Sequence, residues 1–113
     1  MAQTININWL LSNDSPTSKT FVGQADVGGS GSFSIDVQIN LPVEIDAFGA
    51  ASLFVQPVGN FPDFPAVDGF ATRILSVDLT NQTAVIHITR VDAESGWAMD
   101  LRLNLLLIDQ KTF

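Results

Sequence analysis

Cysteine does not occur in this chain, and with it go the disulfide framework, the thiol nucleophile and the cysteine-held zinc ion. The absence leaves the compartment open, since a single domain of this length buries enough apolar surface to fold without cross-links. Basic residues are nearly as scarce. Lys19, Arg73, Arg90, Arg102 and Lys111 are spread along the sequence, and against twelve acidic residues they leave a formal net charge of −7. Nucleic-acid backbones and anionic membrane surfaces both call for a basic patch, so neither is an expected partner. Long hydrophobic runs are missing as well: no stretch of roughly 18 or more apolar residues is there to cross a bilayer, and no membrane insertion is expected. The opening segment MAQTININWLL lacks the basic start, continuous apolar stretch and small-residue cleavage site of a secretory signal. A soluble, untargeted chain is the expectation, with its compartment unassigned.

What the chain does have is alternation. Residues 32–41, SFSIDVQINL, put Phe33, Ile35, Val37, Ile39 and Leu41 on one side of an extended backbone and Ser32, Ser34, Asp36, Gln38 and Asn40 on the other. That is the period of a strand with one dry and one wet face. Further strands are expected at 4–11, 20–27, 50–58, 72–79, 83–91 and 97–108, with a shorter extended piece at 43–45. The segments NDSPTS and GGSG supply turns, and 80–82 connects a hairpin. The stretch 59–69, GNFPDFPAVDG, carries too many glycine and proline breaks for a regular strand and is expected to be a long surface loop. With 46% hydrophobic residues, eight Phe and two Trp, there is material for one core. The expected fold is therefore all-β, a single antiparallel β-sandwich spanning 1–113. It has about six or seven strands by the period rule, and an N-terminal strand and glycine-rich turn precede a core running from about 31 to 109.

The last strand places Trp97, Met99, Leu101, Leu103, Leu105 and Leu107 on one face. The other face is polar from Ala98 to Asn104 until Leu106 and Ile108 interrupt it. Two explanations stand side by side: the outer face packs there against another subunit, making Leu106 and Ile108 interface residues, or a central strand is covered by the chain's own loops.

Candidates for chemistry are few. His87 is the only histidine, and it faces away from Ile86 and Ile88 with no serine or acidic neighbour marked out by a motif. A catalytic role is not expected for it, nor for the chain. Asp92 and Glu94 occupy a turn beside Gly96, and Asp63 and Asp68 carry further carboxylates of the kind calcium prefers, but their spacing matches no calcium loop. No cofactor is expected. Sugar recognition uses these residues better: it combines planar hydrogen-bonding groups with an aromatic ring, and Asp92, Glu94 and Trp97 cluster, with Arg90 or Arg73 offering a fork of donors. Trp97 fits equally as core, because it continues the Met99, Leu101 and Leu103 face. The triplets Asn13-Asp14-Ser15 and Asn81-Gln82-Thr83 match the glycosylation acceptor pattern and, without a secretion signal, are expected to be idle.

From Gly31 to Asp109 the order of features resembles the H-type lectins. The similarity rests on the Phe33 strand, the Leu41-Pro42-Val43 that follows it, the strand with Val85, Ile86 and Ile88, and the terminal strand after Trp97. It departs from that family in having Leu105, Leu106, Leu107 and Ile108 where an aromatic is usual, and in the longer insertion around FPDFPAVDG. The resemblance implies a small six-stranded sandwich that binds galactose-type sugars, particularly N-acetylgalactosamine, and assembles as trimers or hexamers of trimers. The leading expectation is thus a non-catalytic, lectin-like carbohydrate-binding protein acting on glycans as a multivalent homo-oligomer. The alternative is a structural or assembly subunit that uses apolar strand surfaces for protein–protein contacts.

Overall fold

Strand periodicity governs the chain in the computed structural model, which describes residues 3–42, 50–60, 65–66, 69–92, 94–97 and 100–110. In chain order the strands are β1 (Gln3–Ile5), β2 (Leu10–Asp14), β3 (Ser18–Val27), β4 (Ser34–Asn40), β5 (Ala50–Asn60), β6 (Pro65–Ala66), β7 (Phe70–Asp78), β8 (Thr83–Arg90) and β9 (Asp100–Gln110). No helix occurs among the described residues. One sheet has the order β1-β4-β8-β7 and the other β2-β3-β9-β5-β6. Every neighbouring pair is antiparallel except β1 with β4, which run parallel. The all-β sandwich expected from the alternation is the fold, with β1 and β6 as short additions to seven longer strands.

The inner faces of both sheets meet in one core. Val37 and Ile39 of β4 and Ile86 and Ile88 of β8 oppose Leu101, Leu103, Leu105 and Leu107 of β9, all buried. Burying a side chain of this size stabilises by about 1.5–3 kcal/mol, so the rows that obey the period of two also supply most of the cohesion. Ile7, Phe21, Ala25 and Val27 lie in the same core, which therefore begins well before residue 31.

The expected strand at 4–11 is two strands in two different sheets. Residues 6–9 cross between them, and the crossing is held by Asn40: its side-chain oxygen accepts from the Ile7 N–H, and its amide donates to the Ile7 carbonyl at 3.0 Å. The Trp9 indole N–H donates to the Asn40 carbonyl at 2.8 Å. Ile7 can then be buried without orphaned backbone groups. Gly23 makes room for it, since a Cβ there would stand 2.7 Å from Ile7 Cγ2 and 3.1 Å from the Trp9 ring.

Other boundaries shift for local reasons. The stretch expected as loop 59–69 begins inside β5 and contains β6, which pairs Gly59 with Ala66 and Asn60 with Pro65. The extended piece at 43–45 lies outside the described residues. The hairpin between β7 and β8 turns at 79–82, where Gln82 takes a positive φ of 57° and Asp78 accepts from the Asn81 N–H at 3.0 Å and its side-chain amide at 2.7 Å. The last strand starts at Asp100 and not at Trp97, which instead makes an isolated bridge to Ser30.

Candidate functional site

The turn after β8 brings together four of the residues singled out in the sequence. Arg90 ends β8, and its Nε donates to Asp92 Oδ1 at 2.6 Å while Nη1 donates to the Gly96 carbonyl at 2.6 Å. The Asp92 carboxyl is consequently held below its ordinary pKa, chiefly by the hydrogen bond from Arg90. Glu94 is exposed at the tip. Trp97 is only 4% exposed: its ring meets the edge of Phe70 at 5.1 Å and 79°, its indole N–H donates to the Gly28 carbonyl at 3.2 Å, and its backbone exchanges two 2.8 Å hydrogen bonds with Ser30. Gly96 permits this approach, as a Cβ there would lie 1.9 Å from the Ser30 carbonyl oxygen. The indole thus packs as core, the alternative that its place on the leucine face offered, and Arg90 is engaged in bracing the turn. Asp92 and Glu94 remain as accessible carboxylates.

Arg73 stands elsewhere. It is exposed on β7, directly across from His87 of β8, on the outer face of the four-stranded sheet. His87 is also opposite Asp36 of β4, and its Nδ1 shares a 2.7 Å hydrogen bond with Asp36 Oδ1. The pair borders an open recess of about 450 Å³ lined also by Gln3, Ser34 and Ile35. This juxtaposition was missed in the sequence, although the signal was present: Asp36 and His87 each sit on the polar side of an alternating strand, and only the register between the strands was wanting. Among the described residues no group of three His, Cys, Asp or Glu side chains is placed to hold a metal ion. Asp63 and Asp68 lie outside the described residues.

The remaining candidates, Leu106 and Ile108, are half-buried on the outer face of the five-stranded sheet. Leu106 is opposite Val22 of β3 and Phe54 of β5, and Val22 is opposite Leu10 of β2. Four strands therefore present one unbroken apolar row, with Leu10 66%, Phe54 53% and Val22 38% exposed. The next row is a ladder of amides in which Gln24 donates to Asn104 at 3.3 Å and Asn104 to Gln56 at 3.5 Å. Each member is ordinary in sequence, and no single segment contains the row.

No protein-family model matches the chain, and no curated protein does. Among solved structures it is similar to the P. aeruginosa R1 pyocin fibre fragment comprising C-terminal residues 323–701, with a TM-score of 0.59 and 14% identity. The two share a fold. The match covers 91% of this chain but 28% of the fibre chain, so this chain spans well under two thirds of the molecule it resembles.

Proposed function

We propose that this chain is a non-catalytic assembly module whose contacts with other protein are made by the outer face of its five-stranded sheet. One observation carries the reading: the two outer faces differ. The four-stranded sheet presents Asp36, His87 and Arg73 in its central rows, whereas the five-stranded sheet presents the Leu10, Val22, Leu106 and Phe54 row beside uncharged amides. A contiguous apolar row with a polar rim is how protein surfaces that meet other proteins are built. Likeness in fold to part of the pyocin fibre supports the reading. It is tested by installing a photo-reactive amino acid in place of Phe54 or of Ala71, which is exposed on the outer face of the other sheet, in cells that make the protein. Covalent capture of a neighbouring protein is expected from position 54 and not from 71. Equal capture from both, or none from 54, would remove the face from consideration.

Carbohydrate binding in the manner of an H-type lectin is the second reading. The exposed carboxylates of Asp92 and Glu94 on a braced turn favour it. With Trp97 buried, recognition of a galactose or N-acetylgalactosamine unit would rest on polar groups alone. A glycan screen tests this: saturable binding, competed by free sugar and lost in Asp92→Asn without a change in particle mass, is the expected result.

A further inference from the structure

The assembly reading leaves the partner open, and charge narrows it. The chain carries a net charge of −7, so two copies repel wherever they present carboxylates to each other. On the outer face of the five-stranded sheet, the described acidic residues are Asp26 on β3 and Asp100 on β9, both at one end. Asp26 lies 3.7 Å from the Arg102 guanidinium. Asp26 is four residues along β3 from Val22, a distance of about 13 Å at the rise of a strand. That exceeds the Debye length of about 8 Å at physiological ionic strength. Among the described residues, the apolar row is thus a stretch of surface where a second acidic copy, presenting its own row, meets no opposing carboxylate.

Resting on that reading, we propose that the partner is a second copy of this chain, docked by the same face about a two-fold axis. Such an axis passing through the row lays Leu10, Val22, Leu106 and Phe54 against their own counterparts, and the amide ladder of each copy then flanks the row of the other. Two sheets stacked in this way sit about 10 Å apart, the spacing already used between the sheets of one sandwich. Nine residues each of β3, β9 and β5 make a face of about 14 by 30 Å, and the five residues of β2 add a strip of about 5 by 17 Å. The area is therefore about 500 Å² per copy, in the range of weak, transient contacts and below that of stable dimers. Association is accordingly weak, concentration-dependent and reversible.

Sedimentation equilibrium of the purified chain from about 5 μM to about 1 mM, the range that weak interfaces occupy, tests this. The mass is expected to rise from 12.2 kDa towards twice that value. Phe54→Glu should weaken association at least about tenfold by placing like charges in the contact. Phe54→Leu should retain it, and Ala71→Glu on the opposite sheet should leave it unchanged. Phe54 is exposed, so circular dichroism should show each variant folded. A constant monomer mass in the folded wild type, or equal weakening by Phe54→Glu and Ala71→Glu, would overturn the self-pairing. The crosslinking experiment separates the two claims. Face-specific capture of a different chain while the purified protein stays monomeric retains assembly but refutes the second copy, and loss of face specificity refutes both.

Discussion

Single carboxylates do much of the fastening at the corners of this sandwich. Asp92 is held below its ordinary pKa first by the hydrogen bond from Arg90, and Asp78 by the Asn81 backbone N–H and then the Asn81 side chain. A carboxyl whose folded pKa is depressed contributes stability that is full above its unfolded value and is lost as pH falls through the folded one. Asp92→Asn should therefore unfold at lower denaturant concentration than wild type near neutral pH. The difference should shrink as pH drops below about 4, the ordinary carboxylate range. Urea unfolding at about pH 6 and about pH 2.5 measures both ends of that window; a gap that is the same at both would show that Asp92 acts otherwise. The same corner explains what the sequence disclosed of its site. Proximity of Arg90, Asp92, Glu94 and Trp97 along the chain was plain, but whether the indole faced a ligand or the core depended on Phe70 and Gly28, which come from remote segments.

Strands were legible wherever one face is dry. The alternation in β4 and β8 fixes which residues go inward, and burial follows it in the middle of each strand, where Val37, Ile39, Ile86 and Ile88 are buried while Asp36 is exposed. It does not hold at Phe33, expected on the dry side but lying ahead of β4 and 44% exposed. It also fails at 4–11, where the apolar alternation continues although the chain changes sheets. Ile5 on β1 and Ile7 and Trp9 in the crossing pack in or against the core, but Leu11, expected on the same dry side, is 44% exposed and β2 is exposed throughout. What marks the break is Asn40, more than thirty residues away, acting as a substitute for backbone partners at Ile7. Asn40→Ala should leave the Ile7 N–H and carbonyl without these bonds and cost about 2–4 kcal/mol, from the penalty of unsatisfied buried polar groups. Amide hydrogen exchange should show protection lost first around residues 6–9 and in β1. Global destabilisation without that local loss would mean that Asn40 matters for the strand β4 and not for the crossing. The bulge in β7 between Ile74 and Ser76 was likewise hidden, since an inserted residue alters register without altering composition.

At the scale of the whole molecule, the asymmetry between the two outer faces is invisible in any one segment. The apolar row takes one residue each from β2, β3, β9 and β5, so it exists only once the register of the five-stranded sheet is set. The Leu106 and Ile108 signal at the end of β9 was the part of it that sequence could show, with a central strand and a subunit contact as rival causes. β9 is indeed the central strand of its sheet, and its outer face is nevertheless half-open. That central place also gives the fold a direction in time. β3 and β5 each take β9 as a neighbour along their length, so as the chain is synthesised both wait with unpaired edges until the final strand inserts between them. Closing such distant segments is entropically costly and slow, and the interval before β9 arrives is when this chain has most to lose from meeting the unfinished edge of another.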